Sequence, residues 1–157
     1  MPSTLLRRRA GQSMTEFAVL APIFFILLLG TIDLGRAIYV YNTISDAARE
    51  GTRAAIPFDN PLPTNTTVLN AVQSKLGGGF TLAPDPCAGT PRGVGCPQTP
   101  TTPNTGLIWY SPGIGTTGQH AVTVQITFLF QPWIPVVRDA AGNGVTLTAE
   151  STMVTEY

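Results

Sequence analysis

Few side chains in this sequence are placed to do chemistry, and the one with an unusual setting is a carboxylate. Glu16 lies at the mouth of an uncharged, mostly apolar run from Phe17 to Ile32, a few residues after Arg7, Arg8 and Arg9. An ionised group inside a bilayer helix costs about 2.5–3.5 kcal/mol at the helix centre on insertion scales, less toward the interface, and is kept where a partner or a function offsets that cost. Gln12 precedes Glu16 by one helical turn. If the chain were cut between Gly11 and Gln12, a staggered neighbouring copy could bring its new α-amine to the height of Glu16. The chemistry expected of this carboxylate is therefore neutralisation of an amine during assembly, not proton transfer.

The other candidates are weaker. Cys87 and Cys96 have eight residues between them, and two cysteines alone in a segment outside the cytoplasm read as one disulfide. A two-cysteine zinc site would need further ligands. The sole histidine, His120, has no local partners and reads as a surface or rim residue rather than a base. No serine stands in a Gly-x-Ser-x-Gly elbow. Gly77-Gly78-Gly79 lacks the Lys-Ser/Thr of a phosphate loop and reads as a helix stop. Asn65-Thr66-Thr67 fits the N-glycosylation pattern but is read as a helix cap. Trp109 and Trp133 read as core or rim aromatics, with Trp133, between Pro132 and Pro135, also able to mark an exposed contact. No catalytic, metal or cofactor site is expected. The six basic residues after Gln12 are scattered among nine acidic ones, which argues against nucleic acid as a partner.

The elements that must position Glu16 begin with a helix. At 157 residues the chain accommodates one membrane segment and at most one small domain. The uncharged run gives about 24 Å of helix, short of the ~20 residues a span needs, whereas counting from Gln12 supplies enough. Three arginines before the run, with only Asp33 and Arg36 just after it, put the N-terminus in the cytoplasm. A cleaved signal peptide would need an Ala-x-Ala-like site that Leu29 to Asp33 do not supply. A plain signal anchor leaves Glu16 unexplained. A leader cut after Gly11 accounts for the arginines, the carboxylate and the retained apolar helix together.

The helix is expected to continue to Ala55, about 66 Å from Gln12. Leu34, Ala37, Ile38, Tyr41, Ile44, Ala48, Thr52 and Ala55 form its apolar face, and Asp33–Arg36, Asp46–Arg49 and Glu50–Arg53 form i,i+3 pairs. Pro22 predicts a kink or local melting near residues 18–22. Gly30 and Gly35 weaken the helix or admit close neighbours. Beyond it, residues 57–106 hold nine of the fourteen prolines and read as loop-rich, apart from a short helix through Val68, Leu69, Val72 and Leu76 capped by Asn65, Thr66 or Thr67. The period then changes to two. Val122 to Phe130 and Val145 to Met153 read as strands, Leu107 to Tyr110 as a third, joined through Pro132, Pro135 and Gly142-Asn143-Gly144. The expected fold is α+β, a long N-terminal membrane helix followed by a small antiparallel sheet that the outer half of the helix covers. The expected division is 1–11 leader, 12–56 helix, with about 12–32 in the membrane, and 57–157 extracytoplasmic domain.

These residues resemble a family. Gly11, then Glu16-Phe17 after four residues, with basic residues before and an apolar helix after, is similar to the type IV prepilin leader of the Flp/Tad (tight adherence) branch. Phe17-Ala18-Val19-Leu20-Ala21-Pro22, Gly30, Asp33-Leu34-Gly35-Arg36-Ala37 and Ala47 to Ala55 resemble the TadE-like pseudopilins, densely over residues 7–56 and more loosely at Phe128 to Pro132 and Leu147 to Met153. Ser13 and Thr15 are polar where members of the group tend to have aliphatic residues. The resemblance implies a minor pilin of the cytoplasmic membrane, trimmed by a prepilin peptidase after Gly11, with Gln12 as its new N-terminus and Glu16 as its assembly carboxylate. It also implies other pilin subunits and the Tad assembly platform as partners. The alternative is a signal-anchored extracytoplasmic binding or adhesion module, neither processed nor assembled.

Overall fold

The computed structural model describes residues 4–58, 61–118, 120–142 and 144–156, with side chains from Gln12 onward, Val136 excepted. Helix α1 runs from Thr4 to Ala54. It thus begins ahead of Gln12 and stays helical through Pro22, so the expected melting near residues 18–22 is not seen. After Ala54 the chain turns at Ala55, whose N–H donates to the Thr52 carbonyl.

Helix α2 spans Asn65–Leu76 and passes into a 3₁₀ turn at Gly77–Gly79. Its cap is Thr64, one residue ahead of the three expected candidates. The Thr64 hydroxyl accepts from the Thr67 N–H at 3.3 Å, and the Thr67 hydroxyl accepts from the Thr64 N–H at 3.2 Å. Pairing Thr64 with Thr67 satisfies donors at both ends of the first turn, which Asn65, the first helical residue, cannot do.

Four strands form one sheet in the order β1 (Thr81–Pro84), β2 (Thr105–Tyr110), β3 (Ala121–Phe130) and β4 (Val145–Val154). The architecture is α+β, as the sequence suggests, but the sheet is mixed. β2–β3 and β3–β4 are antiparallel, whereas β1 pairs parallel to β2. β1 is short, ends in proline and sits at an edge, where a residue without N–H is tolerated, and alternation over four residues is too brief to flag it. The β3–β4 connection contains a further helix, α3 (Pro135–Ala140), in place of a plain loop. Asn143 of the expected turn lies outside the described residues.

The outer half of α1 packs on α2, β3 and β4. Ile44, Ala47 and Ala48 of α1 and Ala55 in the turn after it join Val68 and Val72 of α2 and Val122, Val124, Ile126, Phe128 and Phe130 of β3 in one core. Gly51 lies where three elements meet: a Cβ there would stand 2.6 Å from Val72 Cγ2 and 3.4 Å from Val124 Cγ1. The buried face of α1 differs from the expected stripe at its upper turns. Leu34, Ile38 and Tyr41 are exposed, while Asp33 is buried. Of the three expected ion pairs, only Asp33–Arg36 closes among the described residues. Backbone donors fix the Asp33 side chain, whereas exposed Asp46, Arg49 and Arg53 would have to give up rotamer freedom to pair across water.

The second face of the sheet is also occupied. Trp109, Gln125 and Glu150 share one rung. Arg92 from the disulfide loop lies over the Trp109 ring at 4.7 Å and donates to Gln125 Oε1 at 3.0 Å and Glu150 Oε2 at 2.7 Å. Trp109 is accordingly buried, as are Thr127 and Leu129 on the same face.

Candidate functional site: the foot and the shoulder of the long helix

The lower half of α1 stands clear of the domain. From Met14 to Ile32 its large apolar side chains, including Phe17, Leu20, Ile23, Phe24, Phe25, Leu27 and Leu28, are exposed. Water disfavours such a surface, at roughly 25 cal/mol per Å² of apolar area, so lipid or neighbouring subunits must cover it. Among the described residues this is the one helix long and apolar enough to cross a membrane, and it lies near the N-terminus.

At its foot Gln12, Thr15 and Glu16 are exposed. Gln12 Nε2 donates to Glu16 Oε1 at 3.3 Å, and the Thr15 hydroxyl donates to the Gln12 carbonyl at 2.7 Å. The carboxylate is thus turned toward the start of the helix, one turn from residue 12. Thr15, Glu16, Val19 and Leu20 border a shallow surface depression in which Glu16 is the one ionisable group among the described residues. The segment carrying Arg7, Arg8, Arg9 and Gly11 is helical, and its side chains lie outside the described part.

The helix shoulder, where the apolar run ends, carries a second cluster that the sequence did not reveal as a site. Asp33 Oδ1 accepts from Arg36 Nη1 at 2.9 Å, while Oδ2 accepts the backbone N–H groups of Trp133 at 2.9 Å and Ile134 at 3.1 Å. The Arg36 guanidinium lies 3.7 Å from the Trp133 ring centroid and 5.2 Å from that of Phe130. One carboxylate thereby satisfies two donors ahead of α3 and holds an arginine against an aromatic face. In the sequence Asp33 and Arg36 show only as an i,i+3 pair. Their partners stand a hundred positions away.

Cys87 and Cys96 are joined by a disulfide. Its loop is organised by Asp85, buried, whose carboxylate accepts from the N–H groups of Cys87 at 2.7 Å and Gln98 at 2.6 Å. The fold brings Gln12 to Glu16 and Cys87 to Cys96, and keeps the two pairs apart on the helix and in the domain. His120 is tied through its backbone to Thr155.

A long helix, bare and apolar in its lower half and packed on a small sheet in its upper half, fits a membrane-anchored, pilin-like subunit. Residues 11–53 match the model of the TadE-like protein family, consistent with a TadE-like pilin of the Flp/Tad type. That match covers Glu16, the apolar run, Asp33, Arg36 and the α1 core residues up to Thr52. The family it points to is one of structural, Tad pilus-associated proteins, and the match spans the long helix rather than the domain that follows it. Neither a curated protein nor a solved structure matches the chain.

Proposed function

We propose that this chain is a minor pilin, or pseudopilin, that enters the cytoplasmic membrane by α1 and takes part in assembling a Tad-type pilus. Its leader is residues 1–11, the segment 12–56 carries the retained part of α1 and the turn that ends it, and residues 57–157 form the domain outside the cytoplasm. A prepilin peptidase cuts between Gly11 and Gln12. Glu16 then pairs with the Gln12 α-amine of a neighbouring subunit. The observation that carries this reading is an exposed carboxylate turned toward residue 12 at the foot of a bare apolar helix. A subunit alone in lipid leaves that charge unpaired, whereas a staggered neighbour neutralises it, so the carboxylate favours assembly over the free state. Leu34, Ile38, Tyr39 and Tyr41, exposed above the membrane run, extend the apolar surface available to neighbours. Three arginines at the cytoplasmic end set the orientation.

Two measurements test this. N-terminal sequencing of the mature, membrane-extracted protein is expected to begin at Gln12, and recovery of Met1 or Pro2 would refute processing and favour a plain signal anchor. Glu16→Ala is expected to insert into membrane normally yet enter pili poorly, and incorporation equal to wild type would remove the role given to the carboxylate.

A further inference from the structure

We propose that the β3–β4 connection, with Trp133 and α3, is a membrane-contact element that seats the domain on the outer headgroup layer of the bilayer. This rests on the reading of α1 as the membrane helix. From Gln12 to Ile32 is about 31 Å of helix, matching a hydrocarbon core of about 30 Å, so with the foot at the inner boundary Asp33 lies at the outer one. The hydrogen bonds from Trp133 and Ile134 to Asp33 place the connection at that same depth.

The surface there suits an interface. Trp133 is 69% exposed although it is a large aromatic, and Val137 of α3 and Val145 at the start of β4 are exposed as well. Val137 and Val145 meet Leu34 of α1 along one groove, and Leu34, like Leu29 and Ile32 before it in the helix, is exposed. Between helix and connection runs an apolar groove bordered by Gly30, Leu34, Phe130, Pro132 and Val137. Tryptophan prefers the headgroup level, where an apolar ring and a polar N–H are both accommodated. The charges of the element are locally balanced. Arg36 is paired with Asp33, and Arg138 stands 3.7 Å from Asp139. The contact is therefore with the interfacial zone of zwitterionic lipid and does not depend on anionic headgroups. In functional terms it fixes the tilt of the domain over the membrane before the subunit is extracted into a filament.

The test uses the full-length protein in phosphatidylcholine vesicles whose acyl chains carry bromine either near the carbonyl or near the terminal methyl. Flotation of the vesicles first establishes insertion. Tryptophan emission is expected to fall more with shallow bromines than with deep ones, and the extra loss is expected to vanish in Trp133→Phe, because Trp109 is buried beneath Arg92. If Trp133→Phe does not fold, a spin label on Val137→Cys in the otherwise native chain replaces it, with greater relaxation by oxygen than by a water-soluble nickel chelate as the expected result. Floating protein whose emission is equally insensitive to bromine in both forms, or whose label relaxes as in water, overturns the docking and leaves the membrane helix standing. Crosslinking of Val137→Cys to a second copy within vesicles, without lipid quenching, assigns the patch to a subunit contact and likewise overturns it. Failure to float overturns the membrane reading and the docking together.

Discussion

Two carboxylates on one helix, seventeen positions apart, show how surroundings decide what a residue does. Among the described residues Glu16 hydrogen-bonds to Gln12 of its own helix and is otherwise exposed, and the neutralising role proposed for it requires a second molecule. Asp33 is 5% exposed and fully engaged by Arg36 and two backbone donors. Removing it leaves the buried Ile134 N–H and the Arg36 guanidinium without their acceptor, and each unsatisfied buried donor costs about 1–3 kcal/mol. Asp33→Ala is accordingly expected to destabilise the domain by at least that much, read as a lowered denaturation midpoint of the detergent-solubilised chain. Arg36→Ala, which leaves both backbone donors satisfied, is expected to cost less. An equal effect of the two would show that the ion pair, rather than the backbone contact, is what matters.

At the level of elements, the contact that sets how closely α1 can approach its neighbours is at Gly51. Its missing side chain lets Val72 of α2 and Val124 of β3 pack directly against the helix backbone. Gly51→Ala gains helix propensity of about 1 kcal/mol but overpacks the junction, at a cost of typically 1–3 kcal/mol. The expected net result is a loss of stability. Pairing it with Val72→Ala makes room for the new methyl, so a double-mutant cycle by thermal or urea melting is expected to give a favourable coupling between the two. Additive losses would mean that the helix shifts instead. Helices α1 and α2 and the two long strands were legible because each repeats its period over many residues. β1 and α3, of four and six residues, are too short to repeat one, and the cap of α2 was displaced by a residue because the four consecutive side chains Thr64, Asn65, Thr66 and Thr67 all qualify by type.

In the whole molecule, α1 presents two different surfaces along one continuous helix, bare and apolar below and packed on the domain above. Core contacts begin near Ala37 and Val40 and involve Ile44, Ala47, Ala48 and Ala55, so among the described residues those before Asp33 contribute surface but no core. Deletion of residues 1–32 is expected to yield a soluble domain with cooperative unfolding, whereas deletion through Ala55 removes the layer covering β3 and is expected to abolish it. Size-exclusion chromatography with circular dichroism distinguishes the two, and aggregation of the shorter deletion would show that the apolar half also holds the domain together. The sequence by itself determined the membrane-grade run, the position of Glu16 at its foot, the continuation of the helix well beyond that run and the alternation of β3 and β4, because these are periodicities and charges that neighbouring residues impose on one another. Only the tertiary structure decided that Asp33 ties the shoulder of the helix to Trp133, that Leu34, Ile38 and Tyr41 face outward, and that Arg92 covers the far side of the sheet. Those contacts join residues many tens of positions apart, and nothing in local spacing encodes which distant donor a side chain will meet once the sheet has twisted and the helix has settled on it.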